Sequence, residues 1–102
     1  MAKDPAFLFY YQDFLTGTDH FSNEEAGAYI RCLCHQAHKG YISEKHMLKI
    51  CERQETQNAI MEKFEPAGKG KVFNDRMQQE VIKRRNYSES RRKNRTTNKD
   101  IF

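Results

Sequence analysis

Ser22 and Glu25 frame the start of a helix and Gly40 its end, and this bracketed segment constrains the fold more than any other stretch of the 102-residue chain. A serine at the N-cap accepts from an orphan amide of the first turn, and a glutamate three residues on reaches back to the serine's own amide. Phe21 stands ready as a hydrophobic staple against Ala26. Between the caps, Ala26, Tyr29, Ile30, Leu33, Cys34 and Ala37 recur at i, i+3, i+4, i+7, i+8 and i+11, the spacing of one apolar face. The segment is predicted as the hub helix, with Leu33 and Cys34 in the core and His35 on the surface.

The rest is read around that hub. Residues 6–15, Ala-Phe-Leu-Phe-Tyr-Tyr-Gln-Asp-Phe-Leu, are rich in aromatics without helical spacing, which predicts an extended strand or arm packed across the domain. Phe7, Phe9, Tyr10, Tyr11 and Tyr29 are expected in the core, ahead of a role in stacking on bases. Thr16-Gly17-Thr18-Asp19 turns the chain. Ser43 can cap a second helix through about Arg53, burying Met47, Leu48, Ile50 and Cys51. A third, about Thr56 to Phe64, follows closely with Ala59, Ile60 and Phe64, and two short helices so joined suggest helix-turn-helix. Glu65-Pro66-Ala67-Gly68-Lys69-Gly70-Lys71 breaks any helix ahead of the β-favouring Val72-Phe73, so the stretch is predicted as a hairpin with a basic tip. Asn74 or Asp75 then caps a final helix in which Met77, Val81 and Ile82 face the core. The expected fold is a small α+β domain, mostly α and winged-helix-like, over residues 1–82. A basic helical extension or tail follows over 83–102.

Size and motif exclude several functions. There is room for one domain of roughly eighty residues and one modest core. The apolar run Ala6 to Tyr11 is too brief for a signal-peptide core or a membrane span, so a cytosolic protein with no membrane partner is expected. Three cysteines, with Cys32 and Cys34 too close on one helix to bridge, fit reduced thiols. Cys32, Cys34, His35 and His38 lack the convergence a closed tetrahedral zinc site needs, and no metal is expected. Gly68-Lys69-Gly70-Lys71 lacks the longer frame of a phosphate-binding loop, so no nucleotide cofactor is expected either. His20, His35, His38 and His46 fall in no motif that joins nucleophile, base and orienter, and the chain is not read as an enzyme.

Charge supplies the functional clue. Residues 83–102 hold eight of the eighteen basic side chains and two of the fourteen acids, a net +6, which leaves residues 1–82 at −2. Such segregation suits a polyanion or an acidic partner. Lys69 and Lys71 on the hairpin, with Lys83, Arg84, Arg85, Arg91, Arg92, Lys93 and Arg95 beyond it, are the candidate phosphate contacts. On the third helix Gln57 and Asn58 have the groups to read adenine edges. Glu55, Glu62 and Glu65 outnumber Lys63 there and would repel phosphates. Nucleic acid, duplex DNA first, is the expected partner; a solvated tail and an acidic protein surface are the other readings of the same charge.

Lys3-Asp4-Pro5-Ala6-Phe7, Tyr10-Tyr11-Gln12-Asp13-Phe14-Leu15 and Glu24-Glu25-Ala26-Gly27-Ala28-Tyr29-Ile30-Arg31-Cys32-Leu33, in this order, resemble the amino-terminal domain of YdaU-like phage and prophage replication-initiation proteins. Val72-Phe73-Asn74-Asp75-Arg76-Met77 and the basic run to Arg95 are similar to the hairpin, Asn-x-Arg-(Met/Leu) motif and basic helix of that family. The resemblance implies a DNA-binding or replisome-organising module that acts in the bacterial cytoplasm, without catalysis, possessing replication proteins of phage or host as further partners. Members of the family continue into a further carboxy-terminal region, so helicase or loader recruitment is left out of what the resemblance implies here. A phage protein-protein adaptor is the runner-up.

Overall fold

The computed structural model describes residues 6–101; side chains are described as far as Tyr87 and at Glu89, and the remaining residues of the last helix by backbone alone. Its elements are α1 (Tyr11–Gly17), α2 (Asn23–Lys39), β1 (Ile42–Ser43), α3 (Glu44–Cys51), α4 (Gln54–Met61), β2 (Glu65–Gly68), β3 (Lys71–Phe73) and α5 (Asp75–Ile101). They form a small, mostly helical α+β domain with a three-stranded antiparallel sheet in the order β1-β3-β2.

The capping box at the start of α2 is formed as predicted. Glu25 N donates to Ser22 Oγ at 3.1 Å, and Ser22 N donates to Glu25 Oε1 at 2.8 Å. Gly40 ends the helix in the left-handed region at φ 93°, where a side chain would be strained. The buried face, however, is Ala28, Cys32, Leu33 and Gln36, and Cys34 is exposed. Of the predicted stripe, Leu33 is buried and Tyr29, Ile30 and Ala37 pack against the core, while Cys34 stands outside and Ala28, Cys32 and Gln36 widen the buried face on the other side. Gln36 is the part of that face apolar periodicity passes over, a partnered polar side chain in a core position.

Ser43 Oγ accepts from His46 N at 3.1 Å and starts α3, which buries Met47 and Cys51. Leu48, expected inside, faces solvent. Glu52 closes α3 in the left-handed region at φ 69°, and α4 follows after Arg53. Arg53 ties this turn to the first turn of α2 through Glu24, with Nη2 donating to Oε2 at 2.7 Å and Nε to Oε1 at 3.3 Å. The helix α4 begins earlier and ends earlier than the sequence suggests, so Phe64 is buried beyond its end rather than within it.

The hairpin is where the Gly-Lys alternation placed it. Glu65 pairs with Phe73, Pro66 with Val72 and Gly68 with Lys71, with a register shift between Pro66 and Gly68. Gly68, Lys69 and Gly70 all take positive φ, a turn that two glycines make accessible. Gly70 O accepts from Glu44 N at 2.8 Å, which fastens the tip to the start of α3.

Two expectations fail at the ends of the domain. Residues 11–17 are helical, not extended: among the described residues no strand pairs with them, and a helix satisfies its own amides. The aromatics there are largely outside the core, since Phe9, Tyr10 and Tyr11 are exposed while only Phe7, Phe14 and Tyr29 are half-buried. Ile82 likewise faces solvent, and among the described side chains Val81 is the last apolar one of α5 packed against the core.

Candidate functional site

One buried asparagine ties the start of the basic helix to the rest of the domain. Asn74 Oδ1 accepts from Met77 N at 2.9 Å and caps α5. Its Nδ2 donates to Lys63 O at 2.7 Å and to the Tyr29 hydroxyl at 3.2 Å. The Asn74 backbone is held by Gln36, whose Nε2 donates to Asn74 O at 2.9 Å and whose Oε1 accepts from Asn74 N at 2.6 Å. Helix α2, the end of α4, strand β3 and helix α5 therefore meet in one satisfied polar network, of the kind that fixes a unique arrangement. The sequence offered Asn74 or Asp75 as the cap, and Asn74 is the one that serves. Its second role, and Gln36 entirely, carried no periodic signal.

On the near side of this joint, Lys69 is exposed at the hairpin tip. Lys71 is half-buried, its Nζ 4.3 Å above the Tyr41 ring, a cation–π contact that sequence spacing could not show. On the far side, Lys83 and Arg85 are exposed and Arg84 is half-buried. Lys83 and Arg85 stand about 200° apart around the helix, so α5 offers cations on opposite faces. Arg91, Arg92, Lys93 and Arg95 fall on the α5 backbone, and their side chains lie outside the described residues.

The third helix is differently made. Gln57, a predicted base reader, is buried; its Nε2 donates to Glu44 O at 2.9 Å and its Oε1 accepts from Gln54 at 3.0 Å. Its amide is committed to joining α4 to α3, which corrects the expectation that it faces a groove. Asn58 is exposed, with Oδ1 accepting from Gln54 Nε2 at 2.9 Å. Beside it are Glu55, within 3.5 Å of Arg53, and Glu62, paired with His20. This face is acidic, as its composition suggested.

The thiols and imidazoles do not converge. Cys32 is fully buried and its thiol donates toward Cys51; burial, then the neighbouring Cys51, pushes the Cys32 thiol up to about 12. Thiols held this far from ionisation are inert. His35 packs edge-on against His46 at 4.4 Å between ring centroids, joining α2 to α3. Among the described residues no group of three or more His, Cys, Asp or Glu is placed to hold a metal ion. Desolvation, then His46 and the nearby Lys39, His38 and Arg31, lowers the His35 pKa from its ordinary 6.5. The unfolded chain therefore binds that proton more tightly. Stability should be full above about pH 6.5 and fall as the pH drops below it. Melting temperatures between pH 5 and 7.5 should show this decline, and His35→Gln should flatten it.

No helix among the described residues is long and apolar enough to cross a membrane. Comparison with protein-family models, curated proteins and solved structures gives no match to this chain.

Proposed function

We propose that the chain is a DNA-binding module of phage replication initiation, a winged-helix-like domain that grips the phosphate backbone through its hairpin tip and α5 in the bacterial cytoplasm. The element order from α2 to β3, helix–strand–helix–helix–strand–strand, supports the winged-helix reading, as does the sheet order β1-β3-β2. In that reading α3 and α4 are the helix-turn-helix and β2–β3 is the wing. The observation that carries the functional part is the continuity of α5: it is capped and seated in the core by Asn74 and Met77, and runs on without a break through the basic segment. A helix already formed spares the backbone ordering that an unstructured tail would have to supply on binding. The resemblance to YdaU-like proteins supplies the biological setting.

Fluorescence anisotropy of the full chain against duplex DNA at several salt concentrations tests this. With about five phosphate contacts, log K should fall against log salt with a slope near −4 to −5. Neutralising Arg84, Arg85, Arg91 and Arg92 together should flatten the slope by roughly one unit per contact made, equally for all sequences. Asn58→Ala should change little, because its Oδ1 is already held by Gln54 Nε2 and its neighbours on that face, Glu55 and Glu62, offer phosphate no contact. A folded parent with no salt-sensitive binding would sink the reading and favour the adaptor.

A further inference from the structure

The arm and α1 leave Leu8, Phe9, Tyr10, Tyr11 and Leu15 between 43% and 66% exposed. Exposed large apolar side chains gathered in one short stretch are of the kind found at binding sites. They are not loosely hung. Phe9 packs on Phe14 at 5.2 Å, and Phe14 stacks on Tyr29 with ring planes 8° apart. Arg76 of α5 pairs with Asp13 and lies 5.4 Å over the Tyr10 ring. The arm is thereby fastened to the first turn of the basic helix.

From Arg76, the same face of α5 continues at i+7 and i+11 with Lys83 and Tyr87, about 10.5 and 16.5 Å further along the axis. Lys83 is 73% exposed, while its partner Glu80, at 3.7 Å, is drawn in to 12%. The two acids on this face, Asp13 and Glu80, each have a cation beside them. Tyr87 is again exposed. The surface therefore alternates rings and cations: Tyr11 and Tyr10, Arg76, Lys83, Tyr87. Single-stranded nucleic acid alternates stacking faces and phosphates in the same way, and it is recognised by just such pairs of aromatics and cations. A duplex stacks its bases on each other and offers these rings no face.

We propose that the aromatic arm and the Lys83–Tyr87 face of α5 form a single-strand-binding surface, on which Tyr10 and Tyr11 stack with bases and Lys83 takes an adjacent phosphate. This rests on the nucleic-acid reading above and extends it: the Lys83–Tyr87 face serves a separated strand, and the opposite face of the same helix, where Arg85 stands, is left for a duplex backbone. That pairing suits a protein acting where a duplex is being opened.

The test uses the full chain, a fluorescently labelled oligothymidylate, and a mixed-sequence duplex of equal length at one salt concentration. Tyr11 is the most exposed ring, so its substitution spares the fold. Tyr11→Ala should weaken oligothymidylate binding by roughly 5- to 150-fold, leave duplex binding within about twofold, and be rescued by Tyr11→Phe. Tyrosine emission, free of tryptophan in this chain, should be quenched by the single strand. A parent that binds duplex in a salt-sensitive way, with oligothymidylate binding absent or indifferent to Tyr11→Ala, overturns the proposal and leaves the backbone grip standing. A parent that binds neither overturns both. If Tyr11→Ala abolishes self-association in sedimentation while single-strand binding persists, the patch is an interface between copies and the proposal fails.

Discussion

Ile60→Ala is expected to lower the free energy of unfolding by about 2–5 kcal/mol, a large part of what a domain of this size holds. Ile60 is fully buried, and on α4 the other buried residues are the polar Thr56 and Gln57. The eight-residue helix is too short to persist on its own hydrogen bonds and depends on tertiary packing. Removing its apolar anchor both exposes the transfer free energy of the lost carbons and leaves a cavity against Met47, Phe64 and the other core residues. Urea melts read this directly, and in a domain of under 100 residues each kcal/mol corresponds to roughly 4–8 °C in Tm. Leu33→Ala on α2 belongs to the same range. A loss under about 1 kcal/mol for Ile60→Ala would mean that α4 is not docked as described.

What could be read from the sequence divides along the range of the interactions. Local chemistry was legible: Ser22 with Glu25, Ser43, Gly40, the glycines of the hairpin and Asn74 as one of two candidate caps are all signals contained within a few residues. Interactions across the chain were not. Gln36 and Asn74 are 38 positions apart, and Gln36 reads as an ordinary surface residue until Asn74 is seen beside it. One turn before Gln36 on the same face, Cys32 is inside, and Cys34 is not. The arm shows the converse. Its aromatic content argued for burial, but α2 and α5 offer room for Phe7 and Phe14 only, and the remaining rings stay outside. Of the candidate site, the basic residues were legible from charge alone. Gln57 was misplaced because a glutamine's donors serve a neighbouring carbonyl as readily as a base edge.

Asn74→Ala should cost about 2–4 kcal/mol, and its mechanism separates into two parts that two variants resolve. The first is the cap: without Oδ1, the Met77 amide at the third helical position loses its acceptor, a loss of about 1 kcal/mol. The second is the cross-link to Lys63 O, whose removal leaves a carbonyl at the end of α4 without its donor, at about 1–3 kcal/mol. Serine has an oxygen that can cap but is too short to reach both Lys63 and Tyr29, so Asn74→Ser should recover the first part and not the second. Hydrogen exchange gives the local reading: the Met77 amide should exchange faster in Asn74→Ala and stay protected in Asn74→Ser. Both variants should lower the urea midpoint, by unequal amounts. Equal losses would show that capping contributes nothing measurable, and no loss in either would show that α5 is oriented by the packing of Met77 and Val81 rather than by the asparagine.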